Sequence, residues 1–293
     1  MPIYYDMPLW RPPSEGRNLI IQATIGCSYN RCSFCSNYAS KHFQMRPLEE
    51  VFHDIDVARR EWPEADRVFL ADGDAFMLPT DHLHRILDKL HASLPELTRV
   101  TAYATPDNVN RKSADELASL RARKLSLIYL GIESGDGEIL KRIAKGASPG
   151  GIAKAITRAH DANIRVSAMV ILGLGGRALS GQHIDATIAL VNKAPPTYLS
   201  TLQLDLGRAE EPGFLARWGE PFEPLDDFAI LHEQTRLIAG LNPPSPIIFR
   251  SNHASNALPL AGTLPKDRER LLSAIGQAQF GGIGVRPGFL RGL

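Results

Sequence analysis

Short apolar segments rich in β-branched residues alternate with segments of helical periodicity along most of the chain. Six segments predict strands by this pattern, at residues 18–24, 67–71, 98–104, 126–133, 165–176 and 198–206. Apolar residues at helical spacing predict an amphipathic helix at 47–62. Further helices are predicted at 80–93 and 180–193 and, after the last of the six strands, at 225–241 and 266–279. Two further helical pieces fall before residue 162, and Ser113 with Glu116 three residues later predicts a capping box.

Successive strand–helix units with apolar strands predict a parallel sheet covered by helices. Right-handed crossovers curl such a series into a barrel or into a doubly wound sheet, and periodicity does not choose between the two. In both architectures the functional residues collect at the carboxyl ends of the strands. A further short strand is expected at residues 246–249.

Composition narrows the class of protein. The 293 residues suffice for one large α/β domain or two smaller ones, and 44% hydrophobic with 22% charged residues is typical of soluble globular proteins. The net charge is +1 and no block of Lys or Arg occurs, so a nucleic-acid partner is not expected. No apolar run approaches the roughly 18 residues of a membrane span, and the N-terminus lacks signal-peptide character. We expect a cytoplasmic protein without a membrane partner.

The three cysteines of the chain, Cys27, Cys32 and Cys35, fall within nine positions in the stretch IGCSYNRCSFCSNY. Such clustering indicates a metal centre in a reducing compartment and not a disulfide framework. A structural zinc site needs four protein ligands and a 4Fe–4S cluster normally uses four thiolates, so three thiolates leave one iron open. The alternatives are a zinc site completed by His42, or buried thiols without a metal.

The spacing C-x4-C-x2-C, with Phe34 directly before the third cysteine, resembles the radical S-adenosylmethionine (radical SAM) superfamily. Its usual signature is C-x3-C-x2-C with an aromatic residue at that place, so the first gap here is one residue longer. The resemblance implies a partial (β/α)6 barrel, a 4Fe–4S cluster held by the three cysteines, and S-adenosylmethionine (SAM) at the open iron. Phe34 would then lie beside the cluster.

The turn after the second predicted strand resembles a second motif of this family. Asp72, Gly73 and Asp74 stand where the family has its GGE-type segment, which holds the SAM amino group. A carboxylate suits an ammonium, and a glycine permits close backbone approach. The alternative is an ordinary βα turn, in which Asp and Gly are common.

Two later strand ends extend the resemblance. Glu133 and Ser134 in LGIESG are expected at the SAM ribose or amino-acid end, and Arg142 at its carboxylate. Ser134 as a helix cap and Arg142 on a solvated helix face are the alternatives. Gly173, in LGLGG, is expected against the adenine, although Arg177 stands where the family motif ends in Glu. The glycines do not open the first helix of a nucleotide fold, so NAD binding is rejected.

The resemblance implies a radical enzyme: reductive cleavage of SAM gives a 5′-deoxyadenosyl radical, which abstracts a hydrogen atom from a substrate. Such chemistry is oxygen-sensitive and needs a one-electron donor such as flavodoxin or ferredoxin. No cysteine remains for a second cluster. The segments ADGDAF, YLGIESG and SNHASNALPLAGTLP are similar to compact members of the broad HemN/Elp3-like group.

The expected organisation is an N-terminal arm at 1–17, a core at 18–206, and an extension at 207–293 that closes the barrel. A small, anionic substrate molecule is expected to contact polar and aromatic side chains near the barrel mouth: Tyr38, Tyr103, Arg208, Arg250, His253 and Asn256. Loop Asn and His side chains that merely satisfy backbone groups are the simpler alternative. A tRNA or peptide substrate and a non-catalytic zinc module are the rival functions.

Overall fold

The computed structural model describes residues 3–207, 211–282 and 284–291. Its strands alternate with helices along the chain. They are β1 (Leu19–Gln22), β2 (Thr24–Ile25), β3 (Gln44–Met45), β4 (Arg67–Ala71), β5 (Arg99–Ala104), β6 (Leu125–Glu133), β7 (Arg165–Leu172), β8 (Tyr198–Gln203), β9 (Ile247–Arg250) and β10 (Ala261–Leu264).

The helices follow most strands. They are α1 (Leu48–Glu61), α2 (Thr80–Ser93), α3 (Pro106–Arg111), α4 (Ala114–Ala122), α5 (Gly137–Arg142), α6 (Pro149–Asp161), α7 (Gly176–Lys193), α8 (Glu211–Trp218), α9 (Asp227–Gly240) and α10 (Arg268–Gln279). Within the described ranges, none of these helices has the length and apolar character needed to cross a lipid bilayer.

The strands form a mostly parallel sheet of eight in the order β1-β4-β5-β6-β7-β8-β9-β10, and β2 pairs with β3 in a separate ribbon. The pairs β1–β4, β4–β5, β5–β6, β7–β8 and β8–β9 are parallel. The pair β9–β10 is antiparallel. The predicted parallel α/β architecture is confirmed.

The chain divides into two compact units. The first comprises Met1–Asn30, Cys35–Leu130 and Thr157–Val166. In it α1 packs against α2, and the α1 positions predicted to be apolar, Val51, Ile55 and Ala58, are fully buried. Phe69 on β4 belongs to the same core.

The second unit comprises Arg31–Phe34, Gly131–Ile156 and Ser167–Leu293. Here α7 packs against α9, and α9 against α10. Leu199 on β8 and Phe249 on β9 are fully buried, as expected for strands with covered faces.

Several boundaries differ from the sequence prediction for local reasons. The predicted strand 165–176 is wrong beyond Leu172, because Gly173 turns at φ +80° and α7 begins at Gly176. The predicted strand 18–24 ends at Gln22, and Thr24–Ile25 turns away to pair with Gln44–Met45. Strand β10 and helix α8 are absent from the prediction. The capping box at Ser113 and Glu116 is confirmed, with both of its hydrogen bonds present.

Candidate active site

The cysteine stretch begins where β1 and β4 end. These strands are parallel neighbours with Gln22 opposite Ala71, so the residues that follow them emerge side by side. The Gly73 N–H donates to the Gly26 carbonyl at 3.1 Å, which ties the turn after β4 to the residue before Cys27. All three cysteines lie in the described part of the chain, are half-buried, and form no disulfide bond.

Asp72 fastens both ends of the cysteine stretch. Its Oδ2 accepts hydrogen bonds from the Gly26 N–H at 2.9 Å, the Lys41 ammonium at 2.8 Å and the Gln22 amide at 3.2 Å. Gly26 precedes the first cysteine and Lys41 follows the last, so one fully buried carboxylate holds both flanks. Burial raises the pKa of Asp72 against the lowering effect of Lys41. Lys41 was missed from sequence, where a lone lysine after the cysteines carries no distinguishing signal.

Gly73 is required by close packing. A Cβ built at this position would lie 2.7 Å from Cδ2 of Tyr38 and 3.0 Å from Cβ of Cys27. Tyr38 is 5% exposed and its hydroxyl is buried without a hydrogen-bond partner among the described residues. Burial raises the pKa of Tyr38, with Asp72 adding to the effect. The predicted glycine is therefore explained by contact with the cysteine stretch itself.

Asp74 is a buried acid that forms no ion pair with another described residue. Its Oδ2 accepts from the Ser28 hydroxyl and from the Asn108 amide, at 2.6 Å in the latter case. Its Oδ1 is buried without a partner in the described part of the chain, as is Oδ1 of Asp72. Burial raises the pKa of Asp74 to about 6. A donor placed here, above all a cationic one, would be stabilised.

The remaining candidate of the first unit, Tyr103, is half-buried at the end of β5. Its ring meets Phe69 edge-on at 5.2 Å and Tyr129 at 5.9 Å between centroids. Burial raises the pKa of Tyr103. The aromatic group fixes the ring, and its contact with a substrate stays a prediction.

In the second unit, Glu133 ends β6 with φ +62° and folds back over Gly131. A Cβ at Gly131 would collide with the Glu133 carboxylate, so glycine leaves room for it. Oε1 of Glu133 lies 2.6 Å from Nζ of Lys145, in a pair that is largely buried. The lysine, which was not predicted, fixes the orientation of the expected ribose acceptor.

Ser134 is fully buried and belongs to a hydrogen-bond chain. Nε2 of His183 lies 3.0 Å from the Ile171 carbonyl, which can only accept, so Nε2 carries the proton. Nδ1 therefore accepts from the Ser134 hydroxyl at 2.8 Å, while Ser134 Oγ accepts the Asp136 N–H. Burial lowers the pKa of His183 to about 4. Asp136, and not Ser134, caps α5.

Arg142 is engaged by protein groups. Its guanidinium pairs with Glu138 at 2.9 Å and with Glu220, and it lies 5.1 Å from the Trp218 ring centroid. Glu138 accepts from Nε of Arg142 and Glu220 pairs with its Nη2, where the sequence predicts contact with the SAM carboxylate. The structure thus places Arg142 in a surface ion-pair cluster of the second unit.

The glycine turn after β7 is held by a residue that sequence reasoning missed. Gly173 donates its N–H to Oε2 of Glu233 at 2.7 Å, and Ser180 donates to Oε1 at 2.6 Å. Glu233 lies on α9 and is 1% exposed. Burial raises the pKa of Glu233 to about 7.

Among the predicted substrate residues of the second unit, His253 and Asn256 form hydrogen bonds with the protein, whereas Arg250 contacts an aromatic ring. Arg250 is half-buried, with its guanidinium 4.9 Å from the Tyr198 ring centroid. His253 accepts the Ser255 N–H at Nδ1, and burial lowers its pKa. Asn256 is 4% exposed and donates to the Thr201 carbonyl and the Ser251 hydroxyl, so it anchors its loop. Arg208 lies outside the described residues.

The family model of the radical SAM superfamily matches residues 21–191. The chain belongs to the radical SAM superfamily. Radical SAM family enzymes use a 4Fe–4S cluster and SAM. The match begins just before the cysteine stretch and ends within α7.

The curated relatives of this chain differ from one another in the role that their names describe. The putative methylthiotransferase of Methanocaldococcus jannaschii is 22% identical over 226 residues, which cover 70% of this chain and 49% of that protein. The heme chaperone HemW of Bacillus subtilis is 20% identical over 165 residues, covering 54% and 42%. The chain spans less than half the length of these relatives.

Solved structures of other proteins share the fold of this chain. Methylornithine synthase (PylB) has a TM-score of 0.54 at 14% identity, covering 88% of this chain and 69% of that one. The maturase HydG of Carboxydothermus hydrogenoformans has a TM-score of 0.51 at 18% identity, covering 89% and 58%. At these identities the likeness concerns the fold alone, and it confirms the expected partial (β/α)6 barrel.

The three cysteines supply the donor chemistry that the cluster of this family requires. Among the described residues, no group of three or more His, Cys, Asp or Glu side chains is gathered closely enough to hold a single metal ion. An iron–sulfur cluster takes one thiolate per iron, and its cysteines do not share an ion. Oδ1 of Asp72 and Oδ1 of Asp74, both buried without a partner among the described residues, are acceptors of the kind that an ammonium such as that of SAM requires.

Proposed function

We propose that this enzyme holds a 4Fe–4S cluster through Cys27, Cys32 and Cys35 and uses SAM to abstract a hydrogen atom from a small anionic substrate. The cofactor pair supplies the chemistry, which is one-electron cleavage of SAM to methionine and a 5′-deoxyadenosyl radical. The observation that carries the proposal is Asp74, a buried acid that accepts a hydrogen bond from Ser28, the residue after Cys27, and keeps Oδ1 without a partner among the described residues. The protein positions and orients the cluster, SAM and the substrate.

Asp72 and Asp74 divide two tasks in this proposal. The charge of Asp72 is balanced by Lys41, so Asp72 holds the cysteine stretch. Among the described residues Asp74 forms no ion pair, and its donors, which include Ser28 and Asn108, are neutral. A buried carboxylate with a free oxygen and no ion-pair partner is stabilised by a cation, so Asp74 accepts the SAM ammonium.

The later residues are assigned by their contacts. Glu133, oriented by Lys145, accepts a SAM ribose hydroxyl, and Gly173 packs against the adenine. Ser134 acts through His183 as a support of this strand end, since its hydroxyl proton is donated to the imidazole. Arg142, with two carboxylate partners, is not assigned to SAM.

The anionic character of the substrate is supported by Arg250. Within the described part of the chain, Arg250 forms no ion pair with Asp or Glu, and its guanidinium is half-buried against Tyr198. A partly desolvated guanidinium favours a carboxylate or phosphate partner. His253 and Tyr103 complete the proposed substrate contacts, and a flavodoxin or ferredoxin supplies the electron.

The test is anaerobic reconstitution with iron and sulfide, followed by reduction, addition of SAM and assay of 5′-deoxyadenosine. Wild type should form the product and Cys32→Ala should not. Asp74→Asn keeps acceptors for Ser28 and Asn108 but turns an amide NH₂ toward the ammonium, so SAM should bind about 10- to 100-fold more weakly at unchanged iron content. Asp72→Asn should instead lower iron content. Bound zinc with no cluster after reconstitution would refute the proposal.

A further inference from the structure

A carboxylate from beyond the matched family segment holds the glycine turn that follows β7. The family match ends at residue 191, and Glu233 lies on α9. Oε2 of Glu233 accepts the Gly173 N–H at 2.7 Å, and Oε1 accepts the Ser180 hydroxyl at 2.6 Å. One side chain thus joins the start of the turn to the second turn of α7.

The turn itself has little internal support. Gly173 and Gly176 both have positive φ, at +80° and +57°, and the Gly176 N–H donates to the Gly173 carbonyl at 3.0 Å. The Gly173 N–H points away from this bond and needs an acceptor, because a buried unpaired N–H is costly. The two oxygens of the Glu233 carboxylate accept from the Gly173 N–H and from the Ser180 hydroxyl at the same time.

The position of Glu233 is set by packing on the same helix. Ile230, one turn earlier on α9, would have its Cδ1 2.8 Å from a Cβ at Gly173, so the helix lies directly against the turn. Burial raises the pKa of Glu233 to about 7, which shows that the charge is only partly compensated by its two donors. Protonation keeps the clamp, because Oε1–H then donates to the Ser180 hydroxyl while Oε2 still accepts from Gly173.

We propose that Glu233 is a positioning residue for SAM, which fixes the Gly173–Gly176 turn in the conformation that receives the adenosyl group. The inference rests on the proposed function, in which Gly173 contacts SAM. It makes the chain beyond residue 206 a working part of the cofactor site and not only a cover for the substrate. Glu233 touches neither SAM nor the cluster in this proposal and acts through the backbone of Gly173.

The experiment compares matched variants of the reconstituted full chain. Glu233→Met keeps the side-chain volume and removes both acceptors. Glu233→Gln keeps the clamp, since its oxygen accepts from Gly173 and its amide donates to the Ser180 hydroxyl. Glu269→Met makes the same chemical change at an exposed glutamate on α10. Three quantities are measured: iron per chain, the dissociation constant of SAM, and hydrogen exchange of residues 172–180 without SAM.

Glu233→Met should bind SAM about tenfold more weakly and exchange faster at residues 172–180, with iron content unchanged. Glu233→Gln and Glu269→Met should match wild type in all three quantities. If Glu233→Met does not fold, Glu233→Asp replaces it, since its shorter side chain cannot reach both donors. Faster exchange with unchanged SAM affinity would overturn the inference and leave the proposed function standing. Failure of wild type to bind SAM would overturn both.

Discussion

Lowering the pH from 7 to 4 should reduce the free energy of unfolding by an amount that can be calculated for the buried imidazole of His183. The folded state holds this ring neutral, with Nδ1 accepting from Ser134 and Nε2 donating to Ile171. A second ring proton would face Ser134 Oγ, which already accepts the Asp136 N–H. The unfolded chain protonates the same ring freely, so acid favours unfolding.

The size of the effect follows from the two pKa values. Burial lowers the pKa of His183 from 6.5 to about 4 in the folded state. Each pH unit between these values is worth about 1.4 kcal/mol, so His183 should cost about 3 kcal/mol of stability by pH 4. Because the folded-state pKa of His183 lies below its unfolded-state pKa, this contribution to stability is fully present above pH 6.5 and declines as the pH falls to 4.

The assay is urea unfolding at intervals from pH 4 to 7.5, with thiols reduced, for wild type and for His183→Gln. The difference between the two unfolding free energies isolates His183, because it cancels the raised pKa values of Asp74 and Glu233, which act with the opposite sign. His91→Gln, on the exposed face of α2, is the matched control and should leave the pH profile unchanged. A wild-type minus His183→Gln difference that stays constant from pH 7 to 4 would refute the reasoning.

Two further predictions concern the cysteine stretch. Gly73→Ala should lower the free energy of unfolding by about 1–3 kcal/mol and reduce the iron bound per chain after reconstitution, because the added Cβ would press on Tyr38. Gly150→Ala, where a Cβ meets no atom within 4 Å, is the control and should change neither quantity. Equal behaviour of the two variants would contradict the packing argument. Asp72→Asn should lower the unfolding free energy measured in urea by about 1.5–3 kcal/mol, because the buried Lys41 ammonium loses its buried carboxylate and keeps only the half-exposed Asp6 as an ion-pair partner. Adding Lys41→Met should recover part of this loss, and a double variant no more stable than Asp72→Asn would argue against the ion pair.

Much of the fold was predictable because its signals are local. Strand–helix alternation, the apolar positions of α1 and the capping box at Ser113 each depend on residues within a few positions of one another. Where a glycine turn broke the pattern, at Gly173, the predicted strand ran too far. The cysteine count and spacing likewise pointed to the superfamily before any coordinates, since ligand number is a property of composition.

The residues that orient the site could not be found this way, because their partners are distant in the chain. Lys41 reaches Asp72 across 31 positions, His183 reaches Ser134 across 49, and Glu233 reaches Gly173 across 60. A local pattern carries no information on which strand end a crossover brings beside another. The sequence by itself determined the alternation of elements and the chemistry of the cysteines. Tertiary structure alone decided which charges are balanced, since that depends on burial and on partners that only folding brings within hydrogen-bond distance.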